Sequence, residues 1–323
     1  MPTTPARARK LIKRGEATPF WKLGIFCIRL NRESKEYTQP IVVGIDPGSK
    51  REGFTVKSCA HTYINIQANA LEYVSSRVEL KRTMRRKRRY RRCPYRKARL
   101  NRSTLRKSKI PPSIKARWDW KVKIVKTLSL IYPFKILIYE DIKVESKKNQ
   151  KDWNKSFCPL ETGKIYGFSK FREFGELNIV YGKDTFKLRE KYKLTKIHNK
   201  LSNKFEAHCI DSWVMANSIC EGRVDDKNIL RLIPLRFYRR YLHVILPKKN
   251  NKRQKFGGTI SSGIKRGTIV FHKKYGKTYI GGISKIGITL HSLETSLRVC
   301  RTAKIIDCKI ISRNTCRFYM EKQ

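Results

Sequence analysis

The chain has 323 residues, of which 75 are Lys or Arg and 25 are Asp or Glu, giving a formal net charge of +50. With 40% hydrophobic residues it can bury a real core of one large or two to three small domains, which excludes a disordered polyelectrolyte. Charge of this size repels itself and calls for a polyanion; no apolar run of about 18 residues and no secretory h-region point to a membrane, which leaves nucleic acid as the partner class.

Nine cysteines (Cys27, Cys59, Cys93, Cys158, Cys209, Cys220, Cys300, Cys308, Cys316) are scattered and never spaced C-x-x-C, so they read as reduced residues of a cytosol-like compartment. In chain order, Thr4 can cap a short helix with Pro5 in its first turn, its basic side either a solvated face or an RNA-phosphate contact. Residues 21–30 then read as one strand, with Phe26, Ile28 and Leu30 alternating against Cys27 and Arg29. The next run, Ile41, Val42, Val43 and Ile45, suits a fully buried strand, and it ends on Asp46 where Pro47 and Gly48 force a turn. Residues 53–56 predict the returning strand of a hairpin. A carboxylate is thereby held at the tip of a core strand, where it serves either a turn or chemistry.

Residues 62–73 predict a strand running into a helix. From residue 81 to 106, fourteen positions are Lys or Arg, with Tyr90, Tyr95 and Leu100 interleaved and Pro94 placed to break a helix. Arginine planes and tyrosines suit phosphate forks and base stacking, so this stretch reads as a helical arm for RNA, carried by Arg85, Arg86, Arg88, Arg89, Arg91, Arg92, Arg96 and Arg99. Ser113 is placed to cap a core helix containing Ile114, Trp118, Val122, Val125 and Leu128. Residues 134–139 (FKILIY) form a second apolar strand that ends on acid, Glu140 and then Asp141. Alternation along a strand sends those two carboxylates to opposite faces, and Glu140 is the better match to Asp46.

Residues 145–202 mix a Lys-rich loop, an aromatic patch (Trp153, Phe157, Tyr166, Phe168, Phe171) and a candidate hairpin around residues 177–180. In SNKFEAHCIDSWVMANSI, His208 and Asp211 lie three apart and so share one side of a helix. Beyond residue 222, Pro234, Pro247, a basic linker and Gly257-Gly258 mark a boundary. Short strands at residues 268–272, 278–280, 286–290 and 303–311 then predict a small barrel or twisted sheet, whose basic loops include Lys265 and Arg266. Three carboxylates on two strand ends and one helix are what two-metal phosphodiester hydrolysis requires, with oxygen ligands for Mg²⁺ and His208 to orient or deprotonate water.

Several motifs resemble a known family. GIDPGSKREGFTV resembles the first RuvC motif, ILIYEDIKV the second and FEAHCIDSWVMA the third, in the manner of the transposon-encoded RNA-guided proteins IscB and IsrB. MPTTPARARKL is similar to their N-terminal P-L-M-P module without its preceding strand. The Arg-rich run resembles their bridge helix, and KFGGTISSGIKRGTIVFHKKYGKTYIGG their C-terminal module that reads the target-adjacent motif. Between Glu140 and His208 only His198 is a histidine and no C-x-x-C occurs; WNKSFCPLETGK is similar to the short connector of IsrB, where IscB carries an HNH nuclease.

The resemblance implies an α/β chain with an RNase H-like (RuvC) core split by an arginine-rich bridge helix. Its parts would be a small N-terminal module (residues 1–40), RuvC part I (41–80), the bridge helix (81–112), RuvC parts II and III with the connector (113–225) and a C-terminal, mostly-β domain (226–323). It implies a monomeric protein in a ribonucleoprotein with a large structured guide RNA, nicking the displaced strand of target duplex DNA. Asp46, Glu140 and Asp211 would hold two Mg²⁺ ions, or Mn²⁺ in their place, beside His208. The setting implied is the nucleoid-associated cytoplasm of a prokaryote, with an organellar origin left open. Two other readings stay open: an RNA-guided DNA-binding protein without activity, and a structure-specific nuclease that needs no RNA.

Overall fold

Thr4 opens the first element of the computed structural model, which describes residues 3–22, 25–33, 39–89, 110–142, 160–199, 202–234, 260–261, 264–283, 286–313 and 316–321. Its hydroxyl accepts from the Arg7 amide at 3.3 Å, so helix α1 (Pro5–Lys13) starts where the sequence predicts. Strands β1 (Ala17–Lys22) and β2 (Ile25–Leu30) follow as an antiparallel hairpin with Lys22 opposite Ile25, which corrects the expectation of one strand over residues 21–30. Trp21 and Phe26 face each other across the pair and meet edge to face at 5.5 Å.

The chain divides into two compact units, one of Glu36–Ile233 with Phe318–Gln323, the other of Thr3–Lys35 with Pro234–Arg317. The first is built on a mixed sheet. Strands β3 (Val42–Asp46), β4 (Arg51–Lys57) and β5 (Thr62–Asn69) run antiparallel, and helices α2 (Tyr73–Arg89) and α3 (Pro112–Ser129) lead to β6 (Ile136–Asp141), parallel to β3. Helix α4 (Lys164–Arg172) then crosses to β7 (Glu176–Tyr181), parallel to β6. The hairpin expected near residues 177–180 is thus corrected to a single edge strand, because a parallel neighbour needs a crossover and not a tight turn. Helices α5 (Gly182–Lys191) and α6 (Phe205–Asn217) precede β8 (Ile229–Pro234), parallel to β5. A C-terminal strand, Cys316–Glu321, completes the order C-terminal strand-β8-β5-β4-β3-β6-β7.

Val42, Val43, Ile45, Phe54, Val56 and Leu137 are fully buried between α6 on one face and α3 with α4 on the other. Ser113 does not cap α3: Pro111 holds the cap position with no side-chain bond, and Pro112, with its fixed φ and missing N–H, starts the helix instead. Trp118 of α3 stacks on Tyr139 at 6.0 Å and meets Phe168 and Phe171 at 6.2 Å each, so part of the predicted aromatic patch is core. Trp153 and Phe157 lie outside the described residues.

One charge pair sits in this core. Lys121 of α3 donates to Glu52 of β4 at 2.6 Å, with side chains 3% and 2% exposed, and burial raises the Glu52 carboxyl against the pull of Lys121. Removing one partner strands the other without solvent, so Lys121→Met should cost about 3–5 kcal/mol, whereas Lys121→Met with Glu52→Leu should return most of it. Denaturant midpoints of the two variants check this; equal losses would refute it.

In the second unit, β9 (Ile260–Ser261) and β10 (Ile264–Lys265) pair as a short ladder. Strands β11 (Ile269–His272), β12 (Gly276–Ile283), β13 (Ile288–Ser292), β14 (Arg298–Ala303) and β15 (Cys308–Ser312) form an antiparallel sheet in the order β14-β13-β12-β11-β15. Val270, Ile280, Ile288, Leu290 and Ala303 form its core. The single strand expected over residues 303–311 is broken by a 3₁₀ turn at Ile305–Asp307, and β14 was not anticipated because its residues expose most of their side chains. Among the described residues no helix is long and apolar enough to cross a membrane.

Candidate metal centre

The acid of β3 is placed by register. Ile45 is level with Tyr139 of the parallel strand β6, so the next residues, Asp46 and Glu140, emerge at the same edge of the sheet. Parallel strands end their C-termini together, which is where open α/β sheets collect ligands. Helix α6 crosses over β3 and β4 and adds Asp211. One carboxylate oxygen from each of Asp46, Glu140 and Asp211 lies within 4.8 Å of the others. Asp46 and Asp211 are buried, and Glu140 is partly exposed.

The sheet and helix approach closely because two glycines remove side chains at the contact. A β-carbon at Gly44 would lie 1.9 Å from the Ser212 carbonyl oxygen, and one at Gly53 would lie 2.4 Å from that of His208. Further bonds lock α6 in place: Thr55 and Ser212 share a hydroxyl bond of 2.8 Å, and Trp213 Nε1 donates to Thr62 Oγ1 at 3.0 Å. Lys57 is buried under the same helix, its ammonium 4.7 Å from the Trp213 ring centre and donating to the Cys220 carbonyl at 2.6 Å and to Asn217 Oδ1.

Burial raises the Asp46 carboxyl well above its ordinary value, the charges of Glu140 and Asp211 push it further, and Lys196 pulls the other way. The group therefore concentrates negative charge that a cation relieves. Three hard oxygen donors without a cysteine or histidine in the set suit Mg²⁺ or Mn²⁺ over zinc, so the residues fit a divalent-ion site. Asp141 points away, as alternation requires: Lys164 pairs with it at 2.6 Å. His208 sits one turn before Asp211 on α6, half-buried, and is not a member of the three-carboxylate group.

Two residues that sequence reasoning passed over reach this centre. Arg189 Nη1 from the end of α5 donates to Asp211 Oδ1, and Lys196 Nζ from the segment after α5 donates to Asp211 Oδ2. No local pattern separates them from the other basic residues. Of the predicted nucleic-acid contacts, Arg86 is exposed on α2, and Arg85, Arg88 and Arg89 belong to the same helix. Arg91, Arg92, Arg96 and Arg99 lie outside the described residues. In the second unit, Lys265 is exposed on β10 and Arg266 is half-buried.

These features define a mixed α/β protein with a buried acidic group fit for divalent ions. Residues 1–156 match the family model of the RRXRR protein, and Arg85-Arg86-Lys87-Arg88-Arg89 spells the pattern in that name. Comparison with curated proteins gave no match. Among solved structures, the chain is similar to the yeast mitochondrial Holliday junction resolvase Ydc2, with 15% identity and a TM-score of 0.27, over 57% of this chain and 78% of that one.

Proposed function

We propose that this chain is a divalent-metal-dependent DNA endonuclease with an RNase H-like (RuvC) core, directed by a guide RNA and cutting one strand. The observation that carries the reading is the convergence of Asp46, Glu140 and Asp211 from two strand ends and a helix. The match of residues 1–156 to the RRXRR model supports it, since that span holds the N-terminal module, the first motif and the arginine-rich run.

When bound, two Mg²⁺ ions, or Mn²⁺ in their place, supply an activated water and stabilise the leaving oxygen of a phosphodiester. Asp46, Glu140 and Asp211 are the residues that would hold them. His208 accepts the proton of the attacking water or orients that water. Among the described residues there is one such acidic group, and one site makes one incision, which accords with a nick in the displaced strand. The formal charge of +50 suits an RNA and a duplex together, with base pairing reading sequence and the protein reading backbone and a short flanking motif. Arg86 and its helix supply phosphate contacts on the RNA side; Lys265 and Arg266 are assigned to the target duplex.

The test is to purify the full chain with its bound RNA, sequence that RNA, and offer a duplex matching the guide with each strand labelled separately. The expected result is Mg²⁺-dependent cleavage confined to the non-target strand, lost when the RNA is omitted. RNA retention should fall steeply with salt as counterions are released. Cleavage of a four-way junction without RNA would establish the structure-specific reading instead, and binding without any cleavage the inactive one.

A further inference from the structure

Asp211 spends both of its oxygens on cations of the chain itself, Oδ1 on Arg189 and Oδ2 on Lys196. The two cations are held differently. Arg189 belongs to the last turn of α5, its guanidinium lies 5.5 Å from the centre of the Phe186 ring, and its side chain is 16% exposed. Lys196 comes from the irregular segment between α5 and α6, and its side chain is 36% exposed. The neighbouring backbone is pinned by the Ile197 amide, which donates to the Glu206 carbonyl at 2.9 Å, so the ammonium can move at the end of its flexible stem while its base stays put.

Resting on the nuclease reading above, we propose that Lys196 is a mobile charge-compensating residue: it holds Asp211 until a divalent ion competes for that carboxylate and then transfers to the scissile phosphodiester, while Arg189 stays and orients Asp211. Charge favours such an exchange. Three carboxylates face two side-chain cations, and a divalent ion drawn to Asp211 competes with both for its oxygens. Lys196 is the more exposed and less constrained of the two. Two divalent ions would turn the centre from net negative to net positive, so an ammonium there loses its partner and gains a repulsive neighbour. The anion that then enters is the phosphodiester, whose non-bridging oxygens accept the Lys196 hydrogen bonds that Asp211 gave up. Lys196 thus opposes metal entry and favours substrate, two effects of opposite sign from one side chain.

That opposition supplies the test. Mn²⁺ binding to the full chain without nucleic acid is measured by calorimetry, with Asp46→Asn as the baseline for sites elsewhere. Strand cleavage is measured separately with guide RNA and target duplex at saturating Mn²⁺. Lys196→Met should bind Mn²⁺ roughly tenfold more tightly than the unsubstituted chain, yet cleave roughly 10²-fold more slowly. Lys196→Arg, which keeps the charge, should recover most of the cleavage. A residue with a purely structural role would weaken metal binding and cleavage together or leave both alone, and either pattern overturns the proposal. If Mn²⁺ binding by the unsubstituted chain equals the Asp46→Asn baseline, the metal centre itself is refuted; if it exceeds that baseline and Lys196→Met leaves it unchanged, only the role of Lys196 falls.

Discussion

Replacing Asp46 by Asn is expected to abolish metal-dependent strand cleavage, lowering turnover by at least about 10³-fold, while RNA binding stays at the level of the unsubstituted chain. The change removes one charge and adds no volume, so the hairpin of β3 and β4 has no reason to move. On the proposed reading, RNA binding survives because the basic surface, and not the acidic group, would meet the phosphates of the guide. Cleavage that persisted at more than a tenth of the original rate would show that the carboxylate group is not the reaction centre.

The same substitution should also stabilise the metal-free protein, and the sign follows from the shift. Burial first, then Glu140 and Asp211, raise the folded-state Asp46 carboxyl above its ordinary value of 3.8. The folded state therefore holds a proton that the unfolded state releases. Its stability falls as pH rises from the unfolded value through the folded one, and the cost is fully present above it. Asn does not titrate, so thermal melts in chelator should show a gap in favour of Asp46→Asn that opens with pH and then levels off. Mg²⁺ should reverse the order, since only the intact group binds the ion and is stabilised by mass action. A gap that does not change with pH would mean that Asp46 is not ionised against its neighbours in the folded chain.

Much of this centre was legible locally. A β-branched run closed by Pro47-Gly48 places a strand end at Asp46, and an apolar run closed by two acids does the same at Glu140, whatever the rest of the chain does. The spacing of His208 and Asp211 is fixed by helical geometry, and the alternation that separated Glu140 from Asp141 is borne out by the Lys164 pair. What stayed hidden depends on contacts between distant residues. Phe26, Ile28 and Leu30 alternate as well in a hairpin arm as in one long strand, so nothing local marked the separation of β1 from β2. β7 looked like a hairpin because its parallel pairing is decided by the crossover through α4. Among the described basic residues, several that turn inward, such as Lys57, Lys121, Arg189 and Lys196, carry no local sequence mark that separates them from those that do not. They are recognised only by the acid, carbonyl or ring that each meets.

Gly44 is the position where fold and site depend on one missing atom group, and Gly44→Ala should damage both. The added β-carbon would stand 1.9 Å from the Ser212 carbonyl oxygen, 2.8 Å from its carbon and 3.2 Å from the Ala216 amide nitrogen. All three atoms are backbone, so no side-chain rotation relieves the clash and α6 must move away from β3. Overpacking of this kind costs about 1–3 kcal/mol, with more expected here because the contact is rigid on both sides. The shift of α6 carries Asp211 away from Asp46 and Glu140, and a misplacement of about 1 Å costs on the order of 10²-fold in rate. Gly276→Ala is the fitting comparison: that glycine has φ +65° but nothing within 4 Å of an added β-carbon, so it should lose about 1 kcal/mol from backbone strain and keep its cleavage rate. Denaturant melts and single-turnover cleavage of the two variants separate the effects. Full activity in a folded Gly44→Ala protein would mean that α6 can move without Asp211, and that the close approach of helix and sheet serves packing alone.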